Sequence, residues 1–150
     1  MARAQTLGTR APATAAFSST ADAGKLLLRV VLGVLILLHG ISKVIAGPAF
    51  IIDTVTRDGL PAALAYGVYV GEVAAPLLLI AGVWTRVAAA LVAINMVFAV
   101  LLVHTADLLK LSKTGGLALE LQGLFLAAAI AVALLGAGRY SVGGTLGRWN

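Results

Sequence analysis

Ionisable side chains interrupt sequence that is otherwise apolar, and these are the residues that could do chemistry. His39, Ser42 and Lys43 fall at the end of a run of about twenty mostly apolar residues, the length of a transmembrane helix. Because an ionisable group inside such a helix is costly, each one is a site hypothesis by default. The polar groups in the three later apolar runs are Glu72, Asn95, His104, Glu120 and Gln122. Such groups can carry protons or hydrogen-bond the oxygens of a quinone headgroup.

The helical rise gives each of these groups a depth in the membrane. At about 1.5 Å per residue, Lys43, His104 and Glu120 lie within roughly 5 Å of the outer boundary. On the same rise, His39 lies about 10 Å and Glu72 about 16 Å inside it. Two acids and three bases or cations are therefore expected in the outer half of the membrane or at its midplane.

Helical phase predicts which of these side chains can meet. Glu72 and Glu120 each lie beside glycines on a face that permits close packing, so both carboxylates are expected to turn into a bundle. Asn95 and His104 are nine residues apart, half a turn out of phase. They are expected to point to different sides unless the helix that carries them is distorted.

Each candidate also has a structural interpretation. The candidates for ligand binding or proton transfer are His39, Lys43, Glu72, His104 and Glu120. Glu72 could simply pair with Lys43 or Arg29, and Lys43 could instead extend to the membrane surface. His39 could satisfy a backbone carbonyl, His104 could be interfacial, and Glu120 could complement a helix dipole. Asn95 and Gln122 are typical of interhelical hydrogen bonds.

Composition narrows the cofactors. Cysteine is absent, which excludes disulfides, thiolate metal sites, iron–sulfur clusters and a thiol relay. With two histidines and no cysteine, no metal site is predicted. A bis-histidine haem is disfavoured because the estimated depths of His39 and His104 differ by about 6 Å. These residues establish no cofactor, and a quinone stays open.

The bulk composition defines the class of protein. The 150 residues are 61% hydrophobic and only 11% charged, and mean hydropathy is +1.03, so the chain cannot cover a soluble surface. It is predicted to be integral to the lipid bilayer. The net charge of +5 comes from residues at the ends of apolar runs, which indicates topology and anionic lipid rather than nucleic acid.

The apolar runs predict an all-α, four-helix bundle in the membrane. Residues 1–24 lack a helical apolar period and are predicted to be a disordered tail, followed by a transmembrane domain over 25–142 and a short tail over 143–150. Pro76 is expected to kink the second helix, and residues 49–60 to form a loop with a short amphipathic turn. The four spans cover about 25–46, 61–82, 86–106 and 117–137.

Lysines and arginines near the span ends predict the orientation. One side has seven of them: Arg3, Arg10, Lys25, Arg29, Arg86, Arg139 and Arg148. The other side has four: Lys43, Arg57, Lys110 and Lys113. By the positive-inside rule both termini are expected in the cytoplasm, with the chain spanning the bacterial inner membrane several times.

The order of these motifs resembles the DoxX family of small bacterial membrane proteins over about residues 25–142. The fragments that carry the resemblance are Leu26-Leu27-Leu28-Arg29, His39-Gly40-Ile41-Ser42-Lys43, Gly59-Leu60-Pro61, Glu72, Gly82-Val83-Trp84-Thr85-Arg86, Glu120 and Gly136-Ala137-Gly138-Arg139-Tyr140-Ser141. The chain departs from the family pattern at Ala75-Pro76. The resemblance implies a four-helix membrane bundle and a link to redox chemistry, because relatives are associated with quinone-coupled thiosulfate oxidation.

These observations lead to one functional prediction and leave two alternatives open. The prediction is a membrane subunit of a quinone-linked oxidoreductase or redox-homeostasis complex, rather than a self-sufficient enzyme, with a quinone headgroup near His39 and Glu72. Its expected partners are redox enzymes and a second copy of the chain. The alternatives are a small-molecule carrier and a membrane scaffold or chaperone without redox chemistry.

Overall fold

Helices make up the regular structure of the chain. The computed structural model describes residues 13–113, 115–144 and 147–150, with side chains from residue 19 onward. Five helical segments, here numbered in chain order, are α1 (Ala13–Ala46), α2 (Ala49–Arg57), α3 (Ala62–Ala81), α4 (Thr85–Val103) and α5 (Glu120–Leu135). A 3₁₀ turn, Thr105–Asp107, follows α4. The all-α class is therefore found in the part of the chain that the structure describes.

Three helical stretches are long and apolar enough to cross a membrane: Ser19–Ala46, Ala62–Ala81 and Thr85–Val103. The fourth, α5, is also apolar but has 16 residues. At the α-helical rise it is about 24 Å long, shorter than the hydrocarbon core of about 30 Å. The predicted count of four spans stays a prediction, as does the position of both termini in the cytoplasm.

The long helix α1 begins earlier than the sequence predicted. It extends back to Ala13, so residues 13–24, predicted to be disordered, are helical. Asp22 in that stretch is buried, and its Oδ1 lies 3.6 Å from the Nζ of Lys25. The prediction of disorder is wrong for these residues because a polar stretch that continues a stable apolar helix adds one hydrogen bond for each residue ordered. The rest of the predicted tail lies outside the described residues.

α1, α3, α4 and α5 pack around one apolar core, with each helix beside two of the others. The core residues are Leu32, Ile36, Ala75, Leu79, Ala88, Ala89, Val92, Met96, Phe125, Ala129 and Val132. Alanines on α3, α4 and α5 let these helices approach closely, the pattern expected where lipid supplies no hydrophobic drive for packing. Many large apolar side chains point outward, for example Leu27, Leu38 and Ile45. A lipid environment would cover them.

Glycines on α1 set its approach to α3. A Cβ on Gly33 would lie 2.8 Å from Ile80, and one on Gly40 would clash with the carbonyl oxygen of Glu72. Neither contact is possible for a larger residue without displacement. α1 and α3 are therefore held at a separation that only glycine permits at these two positions.

α3 is irregular, and the irregularity precedes the proline. The segment begins with a 3₁₀ turn over Ala62–Tyr66, passes through a π turn over Val70–Ala74 and ends as an α-helix over Ala75–Ala81. Pro76 has no N–H to donate to the carbonyl of Glu72, four residues earlier. At the place where a kink was predicted, the helix contains a π turn just before Pro76. Such turns are frequent at functional sites.

The two ends of the bundle differ in their connections. At one end, called the α2 end, α2 follows the C-terminus of α1, and Ile51 and Val55 of α2 are buried. At the other, called the Arg86 end, a short turn joins α3 to α4 through left-handed Gly82 and Trp84. This short turn makes α3 and α4 antiparallel neighbours, and the two helices pack against each other.

Candidate functional site

A buried carboxylate joins three helices at the α2 end. Glu72 of α3 is 3% exposed, and its Oε1 lies 2.5 Å from the Nζ of Lys43 on α1. The same oxygen accepts a hydrogen bond of 3.0 Å from the side-chain amide of Asn95 on α4. We call these three residues the Lys43–Glu72–Asn95 cluster. Of the two partners predicted for Glu72, the structure selects Lys43; this also means that Lys43 does not simply extend to the surface.

The backbone of α3 holds Glu72 in place. Glu72 lies within the π turn Val70–Ala74, which changes the direction of its side chain relative to a regular helix. Its carbonyl faces Gly40 of α1, and a Cβ on the neighbouring Gly71 would lie 2.5 Å from the Cβ of Asn95. Both glycines therefore allow the adjacent helices to reach the carboxylate.

A cavity of about 250 Å³ opens beside the cluster, between α1, α4 and α5. We call it the polar cavity. Its polar lining comes from His39, Ser42, Lys43, Glu72, His104 and Gln122. Its apolar lining comes from Ile36, Met96, Ala99, Leu121 and Phe125. The cavity combines apolar walls with a few convergent polar groups, the usual character of a small-molecule site.

Two buried acceptors at this cavity have no hydrogen-bond partner within the described part of the chain. They are Oε2 of Glu72 and Oε1 of Gln122. A buried polar atom without a partner is costly, so such atoms are uncommon unless water or a ligand satisfies them. Both residues line the polar cavity.

The two histidines that line the cavity lie on different elements. His39 on α1 makes an edge-to-face contact with Phe125 of α5, with ring centroids 6.0 Å apart. His104 lies just after α4 ends, at φ −122 and ψ 14, and its Nδ1 is 3.7 Å from Oδ2 of Asp107. The predicted phase conflict between Asn95 and His104 therefore does not arise, because His104 is outside the helix. Asn95 binds Glu72 while His104 lines the polar cavity.

Glu120 is the one candidate that the structure does not bring to the cavity. It is exposed at the first residue of α5, where its Oε1 accepts a hydrogen bond of 2.9 Å from the backbone N–H of Leu117. The expectation that it turns into the bundle is wrong. Its geometry is that of a carboxylate satisfying amides at a helix start.

Gln122 takes the place at the cavity that the sequence assigned to Glu120. Two residues correspond to 200° around a helix, so these two side chains point to nearly opposite sides. Gln122 shares a face with Phe125, Ala129 and Val132, which are buried in the core. This spacing in the sequence could have identified Gln122 as a residue that lines the cavity.

At the Arg86 end the charged side chains bind backbone instead. Arg29 is 2% exposed and donates hydrogen bonds to the carbonyls of Leu79 (2.6 Å), Ile80 (2.8 Å) and Tyr140. It lies inside the protein and pairs with these carbonyls instead of with Glu72. The carbonyl of Ile80 is among those that the end of α3 leaves without a backbone donor, whereas that of Leu79 also accepts from the backbone N–H of Gly82 at 3.2 Å.

Arg86 does the same for α5. Its guanidinium donates to the carbonyls of Ala133 (3.0 Å) and Leu134 (2.9 Å). The side chain of Asn150 accepts a hydrogen bond of 2.9 Å from Thr85 Oγ1. The backbone N–H of Arg86 donates to the carbonyl of Trp149. This end of the bundle is therefore closed by the segment that follows α5.

The pKa of Asp107, a carboxyl group outside the apolar helices, is shifted from its ordinary value. A hydrogen bond from Lys110 to Asp107, together with the charge of Lys110, lowers the pKa of Asp107 below its ordinary value. His104 contributes in the same direction. Asp107 is therefore ionised at neutral pH and paired with Lys110, next to His104 of the polar cavity lining.

The fold and this site define a small helical membrane protein with a polar cavity inside its apolar helices. The DoxX family model matches residues 24–105, more than half of the chain. The protein belongs to the DoxX family, small membrane proteins associated with oxidoreductase- and quinone-related functions. No curated protein and no solved structure matches the chain significantly. The family match includes His39, Lys43, Glu72, Asn95 and His104 and ends before α5.

Proposed function

We propose that the protein is a membrane subunit of a quinone-linked oxidoreductase or redox-homeostasis complex, and that the polar cavity holds the quinone headgroup. The single observation that carries the proposal is the polar cavity itself, in which His39, Lys43, Glu72, His104 and Gln122 converge among apolar walls. Family membership is consistent with it, since DoxX proteins are associated with quinone-related functions.

The donors and acceptors of the cavity match both forms of such a headgroup. A quinone has carbonyl oxygens, which would accept hydrogen bonds from His39, Ser42 or His104. A quinol has hydroxyl groups, which would donate to the unpaired oxygens of Glu72 and Gln122. Residues that serve both forms suit a site where the headgroup is oxidised or reduced by a partner enzyme.

Titratable groups at the cavity supply a route for protons. Glu72 is held by Lys43 at 2.5 Å, and Lys43 is 38% exposed at its side chain. A proton released by a bound quinol would pass to the carboxylate or to His39. His104 and Asp107 would continue the route toward the surface at the α2 end. We propose that this end faces the outside of the inner membrane, as the distribution of lysines and arginines predicts.

The first experiment is mass spectrometry of an organic extract from gently purified protein, together with its absorption spectrum. We expect a quinone in stoichiometric amount, lost in His39→Ala and in Glu72→Gln. The matched control is Glu120→Gln, which changes an exposed carboxylate outside the cavity and should retain the quinone. A well-folded wild-type protein with no quinone, and with no binding when quinone is added back, would reject the proposal.

A specific observation favours a scaffold without redox chemistry as the second candidate. The Lys43–Glu72–Asn95 cluster links α1, α3 and α4 by bonds that need no ligand. Buried polar groups of this kind can serve only to fix the register of helices. On that interpretation Glu72→Gln would lower stability while quinone content and partner-dependent activity stayed at the wild-type level.

A further inference from the structure

A second cavity, of about 290 Å³, lies between α3 and α4 and is almost entirely apolar. We call it the apolar cavity. Its lining is Val55, Leu60, Leu64, Gly67, Val68, Val70, Gly71, Leu91, Ile94, Asn95, Phe98 and Leu102. Asn95 supplies the polar side chain of this lining, and its amide already donates to Glu72. The cavity therefore suits a hydrocarbon and has little to offer a polar headgroup.

The apolar cavity is continuous in its lining with the polar cavity. A small cavity of about 70 Å³ shares Val68, Asn95, Phe98 and other residues with the apolar cavity. The same small cavity shares Lys43, Glu72 and Ala99 with the polar cavity. The three spaces thus form a series around α4 that begins with polar groups and ends with apolar ones.

We infer that the apolar cavity binds the hydrocarbon tail, isoprenoid or alkyl, of the same molecule whose headgroup occupies the polar cavity. The inference rests on the proposed function and extends it to the tail of the ligand. The polarity along the series matches an amphipathic molecule with a compact polar head and an apolar chain. Ala99 lines both the polar cavity and the small cavity, as do Lys43 and Glu72.

Gly67 allows the inference to be tested without disturbing the headgroup residues. It lines the apolar cavity, its φ is −60, and a Cβ added there would meet no described atom within 4 Å. A leucine at this position would occupy space at the cavity wall. Gly123 of α5 is a matched control, because its added Cβ also meets no atom and it is not among the residues lining the three cavities.

The experiment measures binding of two probes to the full chain in lipid nanodiscs. One is 2,3-dimethoxy-5-methyl-1,4-benzoquinone, and the other is the same headgroup carrying a ten-carbon alkyl tail. We expect Gly67→Leu to weaken binding of the tailed probe about tenfold and to leave the tailless probe unchanged. Gly123→Leu should change neither. Because membrane partitioning of the tail is the same for every variant, the comparison isolates the cavity.

Ala99→Leu provides a second variant at the junction of the spaces. It should remove the advantage of the tail even though the apolar cavity keeps its volume. An unchanged affinity for the tailed probe in both Gly67→Leu and Ala99→Leu would overturn the inference. Equal weakening of both probes by Gly67→Leu would also overturn it, since the tail would then not be what the cavity recognises.

Two further outcomes separate this inference from the proposed function. If native mass spectrometry shows that Gly67→Leu loses a co-purified phospholipid while both quinone probes bind as before, the apolar cavity holds a bilayer acyl chain and the tail inference is wrong. If the tailless probe fails to bind the wild-type protein, it is the proposed function that fails. Binding of the tailless probe with no gain from the tail defeats the inference alone.

Discussion

The two ends of the bundle use buried charge in different ways. At the Arg86 end, Arg29 and Arg86 donate to carbonyls at the ends of α3 and α5, and each guanidinium has several acceptors. At the α2 end, Glu72 shares one oxygen between Lys43 and Asn95, while the other oxygen has no partner among the described residues. The first arrangement supplies donors to carbonyls at helix ends, although the Nε of Arg29 has no partner among the described residues. The second leaves capacity for a ligand beside a cavity.

The comparison teaches that burial of a charge does not by itself indicate function. Arg29 is as deeply buried as Glu72, at 2% against 3% exposed. What distinguishes them is the acceptors and donors around each group, and whether a cavity adjoins it. We therefore expect substitutions at the Arg86 end to affect mainly stability, and substitutions at the α2 end to affect mainly ligand binding.

The largest effect on stability is expected from Arg29→Met. The change removes the side-chain donor of the Ile80 and Tyr140 carbonyls and one of two donors of the Leu79 carbonyl, and each unsatisfied buried group costs about 1–3 kcal/mol. Unfolding in mixed detergent micelles should show a loss of more than about 3 kcal/mol. Arg57→Met, which removes an exposed ion pair with Asp53, should cost less than about 1 kcal/mol. Equal losses in the two variants would contradict the role given to Arg29.

Removing Lys43 and removing Glu72 should lower the stability of the protein by different amounts. Lys43→Met leaves a buried carboxylate without its cation and should cost about 2–4 kcal/mol, at or below the usual range because Lys43 is partly exposed. Glu72→Gln leaves a lysine that can reach solvent and should cost about 1 kcal/mol. The double variant should be more stable than Lys43→Met alone.

Quinone binding by the same variants is the second measurement on this pair. Both single variants should bind the headgroup at least tenfold more weakly, whatever their stability. A double-mutant cycle with simple additivity in stability would mean that the two side chains do not interact in the folded protein.

Two glycines of α1 should respond in opposite ways to the same substitution. Gly40→Ala places a Cβ against the carbonyl of Glu72 and should destabilise the protein by about 1–3 kcal/mol through overpacking. Gly24→Ala meets no described atom within 4 Å and should stabilise it by up to about 1 kcal/mol, as alanine does within a helix. Thermal unfolding of the two variants checks this, and a stabilising Gly40→Ala would contradict the close approach of α1 to α3.

The smallest effect is expected at Asp107, on the surface near the polar cavity. Because its pKa is lowered in the folded protein, its interaction with Lys110 stabilises the fold above the ordinary pKa of the carboxyl group and is lost as pH falls through the folded value. Lys110→Met should raise the pKa of Asp107 toward its ordinary value, as measured by carboxyl NMR. An unchanged pKa in that variant would show that Lys110 is not the cause.

Much of the fold could be predicted from the sequence because the signals are local. Gly47-Pro48 ends α1, Pro76 disturbs the middle of α3, and Gly82 begins the turn to α4, each through a backbone property of that residue. The start of α1 was missed because residues 13–24 lack an apolar period, although a helix once nucleated extends at little cost.

The sequence grouped most residues of the candidate site correctly but misjudged the direction of others. His39, Lys43, Glu72 and His104 all line one cavity, although their expected depths differed by about 11 Å. Glu120 was assigned to the bundle interior, but it lies on the exposed side of α5. Gln122 was assigned to an interhelical hydrogen bond, but it lines the polar cavity. Depth along the membrane follows from counting residues, but direction also depends on how each helix is rotated against its neighbours.

The sequence by itself determined the class of this protein: an all-α chain with apolar helices, no cysteine chemistry, and a small set of buried polar groups. Family membership also followed from the order of its motifs. Only the tertiary structure decided that Glu72 pairs with Lys43 rather than Arg29, that Gln122 reaches the cavity, and that an apolar cavity adjoins it. The reason is physical: composition and periodicity are properties of one helix, whereas a partner, a cavity and an unpaired oxygen exist only between helices that have packed.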